Sequence, residues 1–144
     1  MDVKNAFLHG DINSDVYIEQ PPGFVKDPNL VCKLNKAIYG LKRSPLLWNK
    51  CINDFLVDDL SFKRSDVDIC MYSKFEDDNV TVILVYVDDI LIASNKIEIL
   101  EVIKMRLKSR FEMTDLGKVK TFLGIEINYE NNVMTLCQEK FVKK

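Results

Sequence analysis

The sequence predicts an α+β domain, an antiparallel sheet with helices on one face. Two observations carry this expectation. Apolar residues recur at helical spacing in two stretches, and β-branched apolar runs joined by turn residues recur in two others. Their order along the chain is helix, hairpin, helix, hairpin. A chain of 144 residues suits one domain and can bury roughly two thirds of its unfolded surface.

The N-terminal third is punctuated by loop signals, Gln20-Pro21-Pro22-Gly23 and then Asp27-Pro28-Asn29. A helix is predicted from Pro45, with Trp48, Ile52, Phe55 and Leu56 on one face. Pro45 suits a first turn, where its missing N–H costs little. Val67 to Ser73 reads as a strand, Glu76-Asp77-Asp78-Asn79 as a turn, and Val80 to Val87 as a buried strand. Ile90 to Ala93 resumes the apolar pattern, so Asp88-Asp89 is read as a hairpin tip. Asn95 is the expected cap of the second helix, with Glu98 three residues on. The stripe Ile97, Leu100, Ile103, Leu107 and Phe111 reads as core. Thr121 to Asn128 alternates Leu123, Ile125 and Ile127 on one face, a strand, and Asn131-Asn132 turns the chain into Val133 to Cys137.

Composition narrows the function classes. Hydrophobic residues at 47% and charged residues at 29% exclude a disordered tail or a fibrous repeat. Twenty Lys+Arg against 22 Asp+Glu, a net charge of −2, excludes a uniformly basic surface but not a local basic groove. Four cysteines without a C-x-x-C pair, and a single histidine, barely supply the ligands of a zinc site and lack its spacing; reduced, buried thiols of an intracellular protein are the expectation. His9 is read as a surface residue. A charged segment follows Met1, so no signal peptide is predicted, and Asp88-Asp89 splits the most apolar window, so no membrane span is predicted either.

Charge is uneven. Residues 28–53 contain no acid but carry Lys33, Lys36, Lys42, Arg43 and Lys50, whereas residues 54–78 carry eight acids against three bases. The basic stretch is either a solvated face or a surface that meets phosphates. The Asp88-Asp89 pair is more demanding. Aspartate is depleted in strands and disfavoured beside a dry core, and two adjacent carboxylates repel. Either the pair is an exposed Asp-rich turn, or it binds a cation. Mg²⁺ takes hard oxygen ligands, and a third carboxylate stands at Asp2, although spacing alone does not bring it beside Asp88.

Four segments in order carry a resemblance. Tyr86-Val87-Asp88-Asp89 resembles the Y-x-D-D box of reverse transcriptases. Asp2-Val3-Lys4-Asn5-Ala6-Phe7-Leu8 resembles their first carboxylate motif, Leu34 to Pro45 is similar to the segment between the two, and Phe122 to Ile127 resembles the primer-gripping hairpin. The wording of Asp2 to Gly10, Lys33 to Lys42 and Met113 to Gly117 looks specifically like the Ty1/copia class of LTR-retrotransposon polyproteins.

The resemblance implies a ferredoxin-like polymerase palm over residues 1–144, truncated at both ends, with fingers and thumb missing. It implies RNA- or DNA-templated DNA synthesis, with Asp2, Asp88 and Asp89 holding two Mg²⁺ (or Mn²⁺) ions. Phe7 would exclude a ribose 2′-hydroxyl, and Tyr39, Gly40 and Tyr86 would lie near the nucleotide. Retroviral enzymes carry a polar residue where Tyr39 stands. Lys118 or Lys120 would be the general-acid lysine. Lys36, Lys42 and Arg43 would lie along phosphates, and Phe122, Leu123 and Gly124 would hold the primer. Implied partners are primer–template, dNTP and the remaining Pol regions (fingers, thumb, RNase H, integrase), with no membrane. The implied location is cytoplasmic, in a virus-like particle, with a stage that could be nuclear. With no strand before it, Asp2 is expected on a frayed terminus. Two other readings stand beside this one: an inactive retrotransposon-derived fragment that folds and binds nucleic acid, and an acidic cation-binding or protein-interaction domain.

Overall fold

The computed structural model describes residues 1–131 and 133–143. Its strands are β1 (Asp2–Val3), β2 (Tyr17–Ile18), β3 (Cys32–Lys33), β4 (Lys63–Arg64), β5 (Met71–Glu76), β6 (Asn79–Tyr86), β7 (Asp89–Ser94), β8 (Met113–Thr114), β9 (Thr121–Phe122), β10 (Ile125–Glu130) and β11 (Val133–Cys137). Two long helices, α1 (Ser44–Asp54) and α2 (Ile97–Arg110), and the one-turn α3 (Glu139–Val142) complete it. Among the described residues the main sheet has six strands in the order β4-β5-β6-β7-β1-β8, all pairs antiparallel. β11-β10-β9 form a second sheet, and β2-β3 a ribbon.

The predicted α+β class holds. The run after the acidic turn forms β6, whose Thr81, Ile83 and Val85 are buried at the period of two that a strand with one covered face requires. α1 opens with proline in its first turn, buries Trp48 and Ile52, and continues into a single π turn, Phe55–Asp59, that buries Phe55 and Leu56. Ile103 and Leu107 of α2 and Phe111 just beyond it are buried in the same cluster as Ile83, Val85 and Ile90 of the sheet. The Phe111 ring stands edge-on to Trp48 and to Phe55, each at 5.4 Å between centroids, so both helices share one core over the sheet. Gly10 admits α1 closely: a Cβ there would lie 2.9 Å from Leu47 Cβ.

Four local expectations are corrected. The strand read over 67–73 begins at Met71, and Val67 is 98% exposed. Ser65 Oγ accepts from the Val67 and Asp68 amides and Asp68 Oδ1 from the Cys70 amide, and such side-chain turns compete with strand pairing. Asn95 does not cap α2, whose N-cap is Lys96. Its side chain instead accepts from the Val80 amide (3.0 Å) and donates to the Asp78 carbonyl (2.8 Å), stapling the mouth of the β5–β6 turn to the end of β7. Ile97 is exposed, so the buried stripe of α2 starts further along than read. The strand read over 121–128 breaks into β9 and β10 at Leu123 and Gly124, whose φ values of 49° and 79° make a tight turn. The turn read at Asn131-Asn132 holds Asn131 at φ 49°; Asn132 lies outside the described residues.

The cysteines are free but half-buried rather than buried. His9 is half-buried too, its ring 5.2 Å from that of Phe111 and 5.8 Å from that of Trp48. Among the described residues no helix is long and apolar enough to cross a membrane.

Candidate active site

β1 is two residues long and lies inside the sheet. Asp2 stands opposite Asp89 of β7 on one side and Thr114 of β8 on the other. The Ile90 amide donates to the Met1 carbonyl (2.8 Å), the Val3 amide to the Asp88 carbonyl (2.8 Å) and the Lys4 amide to the Glu112 carbonyl (2.9 Å). The frayed terminus expected for Asp2 is therefore replaced by a strand paired along both edges. Residues directly opposite in an antiparallel pair project from the same face, with Cβ atoms about 5 Å apart. The register thus makes Asp2 and Asp89 face-to-face neighbours.

Both aspartates were read at the hairpin tip; only Asp88 is there. Asp89 already belongs to β7 and pairs with Tyr86 across a two-residue turn, Val87-Asp88. Val87 sits at φ 53°, a left-handed conformation that is an outlier for a β-branched residue. The Asp89 carboxyl is held above the usual carboxylate range, first by burial, then by the charges of Asp88 and Asp2; the Met1 ammonium opposes the shift. Three carboxylates so placed repel one another, and a hard cation relieves that repulsion. Among the described residues no three His, Cys, Asp or Glu side chains stand close enough together to hold a metal ion by themselves. An open set of carboxylates is what Mg²⁺ uses when waters and substrate phosphates complete its shell.

The remaining candidates fall into three groups. Phe7 lies in a 3-10 turn, Ala6–His9, entered through Asn5 at φ 52°. Its buried ring packs on Tyr39, 4.3 Å between centroids, while Tyr39 itself is 56% exposed. Gly40 has φ +97°, and an added Cβ would meet nothing within 4 Å, so glycine is required there by backbone conformation rather than by close approach. Tyr86 is exposed at the end of β6, opposite Asp89.

The basic stretch divides. Lys33 pairs with Asp15 (2.5 Å) and Lys36 with Asp11 (2.6 Å), exposed pairs that use these charges within the chain. Lys42 and Arg43 instead line a groove of about 1000 Å³ beside α1, together with Lys50, Arg64 and Arg110. Asp54, Asp58 and Asp59 line it as well, so the groove is mixed in sign.

Lys118, Lys120 and Phe122 line a cavity of about 630 Å³ whose wall includes Asp89. The Lys118 ammonium stands 3.7 Å over the Tyr129 ring, a cation–π contact. Leu123 and Gly124 are exposed at the turn between β9 and β10. The sequence places Trp48 only on one face of α1; in the structure it is buried and its indole N–H donates to the Val87 carbonyl at 2.6 Å. A buried tryptophan needs a partner for that group, which is the signal that a further role was available.

A family model described as reverse transcriptase (RNA-dependent DNA polymerase) matches residues 1–144. The chain belongs to the reverse transcriptases. It is 38% identical over 149 residues to the retrovirus-related Pol polyprotein from transposon TNT 1-94 of Nicotiana tabacum, covering 100% of this chain and 11% of the relative. It is 40% identical over 144 residues to the Pol polyprotein from transposon RE1 of Arabidopsis thaliana, covering 99% and 10%. A putative transposon Ty5-1 protein of Saccharomyces cerevisiae is 39% identical over 147 residues, covering 100% and 47%. The chain is thus a reverse-transcriptase segment of the Ty1/copia type, spanning between a tenth and half of these relatives. No solved structure matches it. Reverse transcriptases as a family use divalent metal ions.

Proposed function

We propose that residues 1–144 form the ferredoxin-like palm of a Ty1/copia-type reverse transcriptase, and that its carboxylate centre adds nucleotides to a primer 3′-hydroxyl on an RNA or DNA template. The observation that carries this is the register of Asp2 against Asp89, with Asp88 in the adjoining turn. Asp2, Asp88 and Asp89 would hold two Mg²⁺ or Mn²⁺ ions. When bound, such ions lower the pKa of the primer hydroxyl and neutralise the triphosphate.

The chain's own residues do the rest. The paired β1 and β7 keep Asp2 and Asp89 in fixed register, so little reorganisation is needed on loading. Phe7, backed by Tyr39, presents a rigid ring against which a 2′-hydroxyl would collide, while Tyr39, Gly40 and Tyr86 border the nucleotide. Lys118 or Lys120, on the cavity wall shared with Asp89, would protonate the departing pyrophosphate. Phe122, Leu123 and Gly124 would support the primer backbone, and Lys42 and Arg43 would meet phosphates. Lys36 contributes less, because Asp11 already engages it. Fingers, thumb, RNase H and integrase would come from the rest of the Pol polyprotein.

Primer extension on an RNA template, with Mg²⁺ or Mn²⁺ and an Asp88→Asn control, tests the reading. Extension that the control lacks supports it; a folded chain that binds primer–template without extending it leaves a nucleic-acid-binding module only. Phe7→Ala is expected to admit ribonucleotides, measured as a fall of at least about tenfold in the dNTP-over-rNTP ratio of kcat/KM, about 1.4 kcal/mol of lost discrimination. Lys42→Ala with Arg43→Ala is expected to reduce the slope of log affinity against log salt by up to about 2, read by fluorescence anisotropy.

A further inference from the structure

Asp88 is held from two directions. The peptide after it is fixed from the sheet, where the Asp88 carbonyl accepts the Val3 amide at 2.8 Å. The peptide before it is fixed from the helix layer, where the Val87 carbonyl accepts the Trp48 indole N–H at 2.6 Å. Val87, which opens the turn just before Asp88, is left-handed at φ 53°, which a valine does not adopt unless its surroundings impose it. Trp48 is suited to impose it. Only 2% of it is exposed, and its ring is wedged edge-on against Phe111 and beside His9. A rigid donor then fixes the plane of the Val87–Asp88 peptide, and that plane decides where Asp88 begins.

We propose that Trp48 is a positioning residue for the carboxylate centre, its indole N–H clamping the left-handed Val87 turn and so setting Asp88 against Asp2 and Asp89. The metal-binding part rests on the proposed function; the clamp itself does not. Trp48 touches no reacting atom and acts only through the turn.

Trp48 is the only tryptophan in the chain, so it can be replaced throughout by β-(3-benzothienyl)alanine, which keeps the bicyclic shape and puts sulfur where the N–H was. Trp48→Phe is the encoded counterpart. Two readouts are taken on the whole chain: amide hydrogen exchange by NMR, and a titration with Mn²⁺ alone, followed by paramagnetic broadening around residues 2, 88 and 89. Both variants should keep the protection of β5 and β6 while the Val3 amide, which bonds the Asp88 carbonyl of the turn, exchanges at least tenfold faster. The Mn²⁺ concentration for half-saturation should rise at least threefold. Adding Val87→Gly to Trp48→Phe, which removes the cost of a positive φ, should recover part of that loss. Unchanged Val3 amide exchange and Mn²⁺ affinity in the benzothienyl protein would overturn the proposal. A loosened turn in a chain whose wild type shows no Mn²⁺ saturation sensitive to Asp88→Asn would keep the clamp and reject the metal reading.

Discussion

Asp89→Asn is expected to abolish nucleotide transfer and, in the same protein, to raise its melting temperature in metal-free buffer. The first effect follows from removing an anionic oxygen ligand from the proposed metal centre. A loss of at least about a thousandfold in kcat, about 4 kcal/mol, is the size to look for in primer extension. The second effect follows from the Asp89 carboxyl being held above its ordinary range by burial and by the charges of Asp88 and Asp2. A carboxyl whose folded pKa is raised binds its proton more tightly in the folded chain. Its ionised form therefore strains the fold at neutral pH, and stability is recovered as pH falls through the raised value toward about 3.9, the unfolded range. Asparagine carries no such charge. The advantage of Asp89→Asn over wild type should be largest at neutral pH and shrink on acidification, and saturating Mg²⁺ should narrow it by stabilising the wild type alone. Thermal melts at several pH values, with and without Mg²⁺, read both.

Phe111→Ala is expected to cost about 3–5 kcal/mol, the usual range for deleting a buried aromatic ring. Phe111 is 2% exposed and is the ring on which Trp48, Phe55 and His9 converge, so the cavity would open where both helices meet. Against a total stability of about 5–15 kcal/mol for a domain, this is enough to leave a sizeable unfolded fraction. Urea unfolding should show a greatly reduced midpoint. Phe75→Ala is the control: at 70% exposure the same deletion should move stability by no more than about 0.5 kcal/mol.

The elements that could be read from the residues are those whose signal is local and long. β6 shows its buried period of two over eight residues, and α1 shows proline in the first turn followed by a buried stripe. β1 and β8 are two residues each, too short for any period to register, and their existence depends on partners far along the chain. The Asn95 side chain obeys a local capping preference only until the β5–β6 turn offers it two better bonds. Leu123 interrupts an alternation that the sequence continues through it, because Gly124 at positive φ lets the chain reverse there. The site follows the same division. The Asp88-Asp89 pair stood out as chemically costly by itself. The place of Asp2 beside it came from family resemblance, since only the sheet register joins the two ends of that distance. Lys36 could not be separated from Lys42 by composition, because its ion pair with Asp11 is a tertiary contact.

The insertion of β1 between β7 and β8 also sets an order of events during synthesis. Asp2 leaves the ribosome before either of the strands that hold it, since both belong to the second half of the sequence. A nascent chain exposed as far as α2 contains all three aspartates and can pair Asp2 with Asp89, yet it still presents the other edge of β1 unpaired. That edge is sealed only when Met113 and Thr114 arrive. Closing so long a loop is slow compared with forming the β6–β7 hairpin. The carboxylate centre is therefore among the last parts of the sheet to be completed, and until then the growing chain carries an open strand edge beside its paired aspartates.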